Sequence, residues 1–284
     1  MNEQKLRALY GLKHNPFSRH IPVDALWRAP GADAFFLRID NIVMDGGFAL
    51  LCGEPGLGKS KMLQLLQQHL LQLGGDLVVG VMEHPQSSVT DFYRELGELF
   101  GVNLSPANRF GSFKTLRQRW REHIQSTLLR PILLIDEAQE VHSKCLTEIR
   151  LLCSARFDSE NLLTTVLCGD SRLPERFRAT DLASLGSRIR TRWVLQPWDR
   201  NTLKGFIEHS LQHAACEHLM TPGLMDTLVQ HCAGNLRMLC SMAAEMLEVA
   251  VQKQAKCLDE KLFIEVFATE PASANNRKKR AGAK

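Results

Sequence analysis

The chain has 284 residues, 44% of them hydrophobic and 23% charged, enough for one large domain or two small ones with real cores. No apolar run approaches the roughly 18–20 residues that cross a bilayer, and "MNEQKLRALYGLKHNPF" has no apolar signal-peptide core. A cytoplasmic protein without a membrane partner is therefore expected. The net charge of +4 is local, because "PASANNRKKRAGAK" holds five basic residues and no acid while the other 30 Lys and Arg face 31 Asp and Glu.

The first thirty residues are turn-rich, with "HNPF" and "IPVD". Apolar residues at Ala34, Phe35, Leu37, Ile39, Ile42 and Val43 then predict a helix. "FALLC" (48–52), bounded by glycines, suits a buried strand, and "KMLQLLQQHLLQLGG" a helix stopped by its glycines. "LVVGVM" (77–82) reads as a second strand, followed by amphipathic helices in "VTDFYRELGELFG" and in "SFKTLRQRWREHIQSTLL", the latter opened by a Ser112 cap. "PILLID" (131–136), "LLTTVLCGD" (162–170) and "RTRWVLQPW" (190–198) complete five strands. From Asp199 onward the pattern is helical. Strands alternating with helices imply a parallel sheet covered on both faces. The expected division is an N-terminal segment (1–30), an α/β core (31–198), a helical lid (199–269) and a basic, disordered tail (270–284). The eight cysteines include no C-x-x-C pair and sit mostly in apolar stretches, which favours buried thiols in a reducing compartment over zinc or disulfides.

The segment "CGEPGLGKSK" carries the chemistry. Gly53, Gly58, Lys59 and Ser60 match G-x-x-x-x-G-K-[ST], with a strand before and a helix after. Glycines let backbone N–H groups turn toward phosphate oxygens, and the helix adds its positive end. The run Gly53, Glu54, Pro55, Gly56, Leu57, Gly58, Lys59, Ser60, Lys61 is the expected ATP cradle, with Lys59 toward the β and γ phosphates. Ser60 and Asp136 are the expected Mg²⁺ ligands, and Glu137, next to Asp136 at the end of the third strand, is placed to polarise the attacking water.

With these motifs, "YGLKHNPF", "LLIDEAQ", "LLTTVLCGDSRLPERF", "LGSRIRTRWVLQPW" and "AGNLRMLCSMAAEM" make the chain resemble the AAA+ ATPases of the ExeA/TniB/TnsC-like group, from about Leu9 to Phe267. The resemblance implies a P-loop NTPase (AAA+) fold of class α/β, with a five-stranded parallel sheet and a small all-helical lid. It implies that the "GL…NPF" opening packs near the adenine. It assigns Arg188 as an arginine finger acting on a neighbouring subunit, with Arg190 and Arg192 close enough to compete for the role. It assigns Arg237 as the lid's sensor 2 arginine. The sensor 1 position, usually Asn, Gln or Thr, holds Asp170 here, an acid that needs Mg²⁺ or a basic neighbour beside a γ phosphate. A trans-acting finger implies a homo-oligomer, either a ring or a helical filament.

The resemblance leaves several uses for ATP. Proteins of the TniB/TnsC kind assemble on duplex DNA and present a target to a transposase with its target-selection proteins. ExeA-type proteins act in secretion and usually continue into a membrane span and a wall-binding region, so transposition is the expected role. Helicase loading and a weakly hydrolysing, ATP-dependent scaffold are the alternatives. A sequence-independent DNA contact is expected at Lys114, Arg117 and Arg121, which share one helix face by their i, i+3, i+7 spacing. A solvated face or an intersubunit contact is the other account of that stripe.

Overall fold

The computed structural model describes residues 3–74, 77–83, 88–105 and 108–267. The basic tail at 270–284 lies outside the described residues. The chain divides into two units: Arg28–Pro197, and Met1–Trp27 together with Trp198–Lys284.

The first helix, α1 (Glu3–Tyr10), belongs to the second of these units. The Arg28–Pro197 unit begins with α2 (Ala32–Asp45), which buries Phe35, Phe36, Ile39, Ile42 and Val43 on one face while Leu37 points outward, 64% exposed. There follow β1 (Gly47–Gly53), α3 (Lys59–Gln72), β2 (Val79–Met82), α4 (Val89–Leu99), α5 (Arg109–Thr127) and β3 (Ile132–Ile135). Next come α6 (Ser143–Cys153), a short hairpin of β4 (Ser154–Ala155) and β5 (Glu160–Asn161), then β6 (Thr164–Gly169), α7 (Arg172–Arg176), α8 (Ala183–Gly186) and β7 (Ile189–Leu195). The five long strands form one parallel sheet in the order β2-β3-β6-β1-β7.

Burial explains that order. Every residue of β1, β3 and β6 is buried, as expected of central parallel strands covered on both faces. The edge strand β7 alternates buried Ile189 and Thr191 with exposed Arg190 and Arg192, so charge blunts one sheet edge. The five-stranded α/β sheet and the helical C-terminal part are as the sequence predicts.

Several local details differ from expectation: α1 lies in the segment expected to be turn-rich, and α7, α8 and the β4–β5 hairpin have no predicted counterpart. Helix α5 starts at Arg109, capped by Asn108, whose Oδ1 accepts the Gly111 N–H at 2.8 Å. Ser112 lies inside the helix, buried, and donates its hydroxyl to the Ser105 carbonyl at 3.0 Å. Helix α6, the crossover between β3 and β6, has no counterpart among the predicted helices, because its inward face includes Glu148. That carboxylate is buried against Tyr93, whose hydroxyl donates to Oε2 at 2.7 Å, and against Arg109.

The other unit gathers α9 (Arg200–His213), α10 (Pro222–His231), α11 (Leu236–Lys253) and α12 (Glu260–Phe267). Asp199, Thr221 and Asn235 cap the first three through side-chain oxygens, and Pro222 takes the first turn of α10 where its missing N–H costs nothing. Leu6, Leu12 and Phe17 share this unit's core with Leu203, Ile207 and Leu239. Trp27 packs edge-on against Trp198 and Phe206, each at 5.6 Å between centroids.

All eight cysteines are free, five of them buried, with Cys216 and Cys240 half-buried and Cys257 exposed. No helix among the described residues is long and apolar enough to cross a membrane.

Candidate nucleotide site

The register of the sheet brings the motifs to one edge. β6 lies between β1 and β3, with Cys52 paired to Gly169 and Ile135 to Leu167. The residues that leave the carboxyl ends of β1, β3 and β6 are therefore the loop from Gly53, the pair Asp136–Glu137, and Asp170. Ligands of open parallel sheets bind at such edges.

The loop closes on Lys59. This side chain is 8% exposed, and its Nζ donates to the carbonyls of Gly53 at 2.9 Å and Glu54 at 3.0 Å. Both acceptors are neutral, so they satisfy the ammonium without cancelling its charge. Gly58 holds φ at 94° where the loop enters α3, a left-handed conformation that a side chain would strain. Gly56 and Leu57 are buried, while Glu54, Pro55 and Ser60 are exposed and Lys61 is half-buried. Lys61 Nζ donates to Gln64 at 3.1 Å, and burial lowers its pKa.

Asp136 is half-buried, and its Oδ1 accepts the N–H of Glu137 at 2.9 Å. Glu137 is exposed, with φ at 47°, and turns the chain from β3 into a single 3-10 turn at Ala138–Glu140. Strained backbone of this kind persists only when surrounding contacts hold it. Cys168 on β6 is buried beside this edge. Burial, then the charge and hydrogen bond of Asp136, push its thiol well above the usual range, while the Lys59 charge opposes and Glu137 adds to the rise.

The sequence reading missed Gln139. Its Nε2 donates to Glu137 Oε2 at 2.5 Å, and its Oε1 accepts the N–H of Asp170 at 3.1 Å. The buried carboxamide links the turn after β3 to the end of β6. Its only sequence signal was its place in "LLIDEAQ".

Asp170 has the basic neighbour it needs. Its Oδ2 accepts from Arg172 Nε at 2.8 Å, its Oδ1 accepts the Arg172 N–H at 2.9 Å, and Arg172 also reaches Glu140 at 2.6 Å. Burial pushes the Asp170 carboxyl up, but the Arg172 hydrogen bonds and charge, with Lys59 behind them, outweigh it and hold the group below the ordinary range. Asp170 also accepts Leu173's N–H on its carbonyl at 3.1 Å, so it caps the turn into α7.

The remaining candidates sit elsewhere. Arg188 follows α8, donates to the Ser184 carbonyl at 2.5 Å and pairs with Asp158. Arg190 pairs with Asp45 at 3.8 Å, and Arg192 donates to the Gly186 carbonyl at 3.1 Å. Arg237 is exposed in the first turn of α11, in the other unit. On α5, Lys114 and Arg121 are exposed, but Arg117 donates to the carbonyls of Leu151 at 2.9 Å, Leu152 at 3.3 Å and Ser154, capping the end of α6. The expected basic stripe is therefore divided between free surface and a structural cap.

Among the described residues no cluster of three or more His, Cys, Asp or Glu could hold a metal ion. Mg²⁺ on a triphosphate takes only one or two protein carboxylates beside phosphate and water oxygens. Asp136 would supply one such carboxylate and Ser60 a hydroxyl oxygen. Mg²⁺ bound there would neutralise charge on phosphates, Lys59 would add positive charge, and Glu137 would be the base candidate.

Residues 42–177 match the AAA domain family model. The chain is 28% identical over 224 residues to General secretion pathway protein A of Aeromonas hydrophila, a match covering 77% of this chain and 40% of that protein. The chain thus spans about two fifths of the length of that curated relative. In fold it is similar to the Aeropyrum pernix ORC2 protein, with a TM-score of 0.68 at 15% identity, covering 90% of this chain and 71% of that one. It is similar to Drosophila ORC bound to DNA, with a TM-score of 0.67 at 16% identity, covering 96% and 67%. Domain III of the Thermotoga maritima initiation protein DnaA gives a TM-score of 0.59 at 20% identity, covering 88% and 97%. At these identities the structural likeness speaks for the fold alone.

Proposed function

We propose that this chain is an ATP-hydrolysing, oligomeric AAA+ regulator of DNA transposition. It engages duplex DNA without reading its sequence and presents the target to a transposase and its target-selection proteins. The observation that carries the ATPase reading is the sheet register, which brings the loop from Gly53 that Lys59 closes and the pair Asp136–Glu137 to one edge, with Gln139 bonded to the Glu137 carboxylate. In this reading Lys59 binds the phosphates, Ser60 and Asp136 hold Mg²⁺, Glu137 takes the proton of the attacking water, and Arg188 and Arg237 complete the site on assembly in the cytoplasm. The DNA part is supported by the exposed Lys114 and Arg121 on α5 and by the likeness to initiator folds, one of them solved on DNA.

A second reading is favoured by the match to General secretion pathway protein A over 77% of the chain: the same ATPase core driving a secretion step, with no nucleic acid. Electron microscopy and ATPase assays with and without duplex DNA separate the two. ATP-dependent rings or filaments threaded by duplex, with turnover accelerated by DNA or transposase, are expected. Assembly and turnover indifferent to duplex would overturn the transposition reading and leave the secretion one.

A further inference from the structure

The hairpin between α6 and β6 is unusual at its tip. Three successive non-glycine residues, Arg156, Phe157 and Asp158, have φ of 47°, 56° and 67°. Left-handed backbone is costly for any side chain and most of all for a bulky one. Three contacts hold the turn. Arg156 pairs with Glu160 at 3.4 Å, Ser154 hydrogen-bonds to Asp158, and Asp158 pairs with Arg188. The turn presents Phe157 at 107% exposure, the highest among the exposed large hydrophobic residues. Scattered exposed apolar residues are ordinary, but this one is next in sequence to the partner of Arg188.

We infer that this tip is an intersubunit element: Phe157 docks against a second copy of the chain, while Asp158 aims Arg188 at that copy's nucleotide site. The inference rests on reading Arg188 as a group supplied in trans. Arg172 and Arg176, which lie near the turn after β3, make their contacts beside the proposed site of their own chain, whereas Arg188 is held by Asp158 at the hairpin tip and by the Ser184 carbonyl. Arg172 serves Asp170 and Glu140, and Arg176 donates to the carbonyls of Gln139 at 2.5 Å and Val141 at 2.8 Å. In this reading the cation that joins Lys59 at the γ-phosphate is the Arg188 of a neighbour. Because Asp158 grips Arg188, a neighbour reached by Arg188 is also reached by Phe157. The charges of the tip are paired with one another, Arg156 with Glu160 and Asp158 with Arg188, so these four groups leave no excess positive charge to attract phosphates.

The test compares Phe157→Ser, Asp158→Asn, Asp158→Glu and Arg188→Ala, following assembly by mass photometry with a non-hydrolysable ATP analogue and turnover by phosphate release. Phe157 is solvent-exposed, so the Ser variant should fold, and binding of a fluorescent ATP analogue to the monomer verifies it. Phe157→Ser should raise the protein concentration needed for assembly at least tenfold. Asp158→Asn should assemble normally but lose about tenfold in kcat at unchanged KM, with Asp158→Glu restoring most of it. Normal assembly by Phe157→Ser, or assembly intact with duplex binding lost, overturns the docking. Wild-type kcat in Asp158→Asn overturns the aiming role. Full turnover in Arg188→Ala defeats the trans-arginine reading itself, a result distinct from the assembly measurement.

Discussion

Gln139 holds the Glu137 carboxylate by a 2.5 Å hydrogen bond and is itself held by the backbone N–H of Asp170. The orientation of the proposed base therefore depends on a side chain anchored to a different strand. Gln139→Ala should lower turnover by roughly a hundredfold, the cost of a misplaced catalytic group, with ATP affinity unchanged. Gly169→Ala gives an independent route to the same effect. An added Cβ would lie 2.5 Å from Gln139 Oε1, which accepts from the Asp170 N–H, and 2.8 Å from Leu173 Cδ2, so a Tm measurement accompanies this variant. Steady-state kinetics paired with ATP-analogue titration decide it, and normal kcat in both variants would remove Gln139 from the site.

Lys59 and Glu137 should separate binding from chemistry. Removing the buried Lys59 ammonium takes a charge-assisted contact from the phosphates, so Lys59→Ala should weaken ATP binding by at least about tenfold. Glu137→Gln keeps the side chain's shape but loses the base. It should bind ATP normally, lose roughly 10²–10⁴-fold in turnover and accumulate as an ATP-bound oligomer. Calorimetry and phosphate release measure the two effects, and Glu137→Gln turning over at the normal rate would reassign the base.

The Asp170–Arg172 pair predicts an acid limb of stability. The Asp170 carboxyl is held below its ordinary value in the folded chain, despite burial, by Arg172. A depressed folded pKa stabilises fully above the unfolded value of about 3.9, and that contribution fades as pH falls through the folded pKa. The Tm difference between wild type and Asp170→Asn should thus be constant from pH 7 to about 5 and shrink below 4. Thermal melts across that range test it. A difference that grows on acidification would mean Arg172 does not stabilise the charged form.

The parts of the molecule legible in sequence were those with local signals. Buried parallel strands such as Ile132–Ile135 are continuous apolar runs, and the phosphate loop has fixed spacing between Gly53 and Ser60. What escaped depends on distant pairing. Gln139 matters because it meets residue 170, Arg172 because it neutralises Asp170, and the apolar period of α6 is broken by Glu148, tolerable only because Tyr93 and Arg109 reach it. The hairpin strands are two residues each, too short for any period. Ser112 looked like a cap by residue type, but Asn108, one turn earlier, offers the oxygen that meets the free N–H.

The basic stripe on α5 should behave as two different things. Lys114 and Arg121 are exposed, so reversing both to Glu should weaken duplex binding regardless of sequence and flatten its salt dependence by roughly one unit of slope per lost phosphate contact, with little change in Tm. Arg117 donates to three carbonyls at the end of α6 and lies over the Phe113 ring at 5.1 Å. Arg117→Ala should therefore cost about 1.5–3 kcal/mol of stability, the range for hydrogen bonds to a charged group. Lys at 117 cannot reproduce the planar fork and should rescue only part of it. Its effect on DNA should follow the loss of folded protein rather than the salt slope. Fluorescence anisotropy at several salt concentrations, beside denaturant melts, separates the two. A changed slope in Arg117→Ala at full stability would return Arg117 to the DNA face.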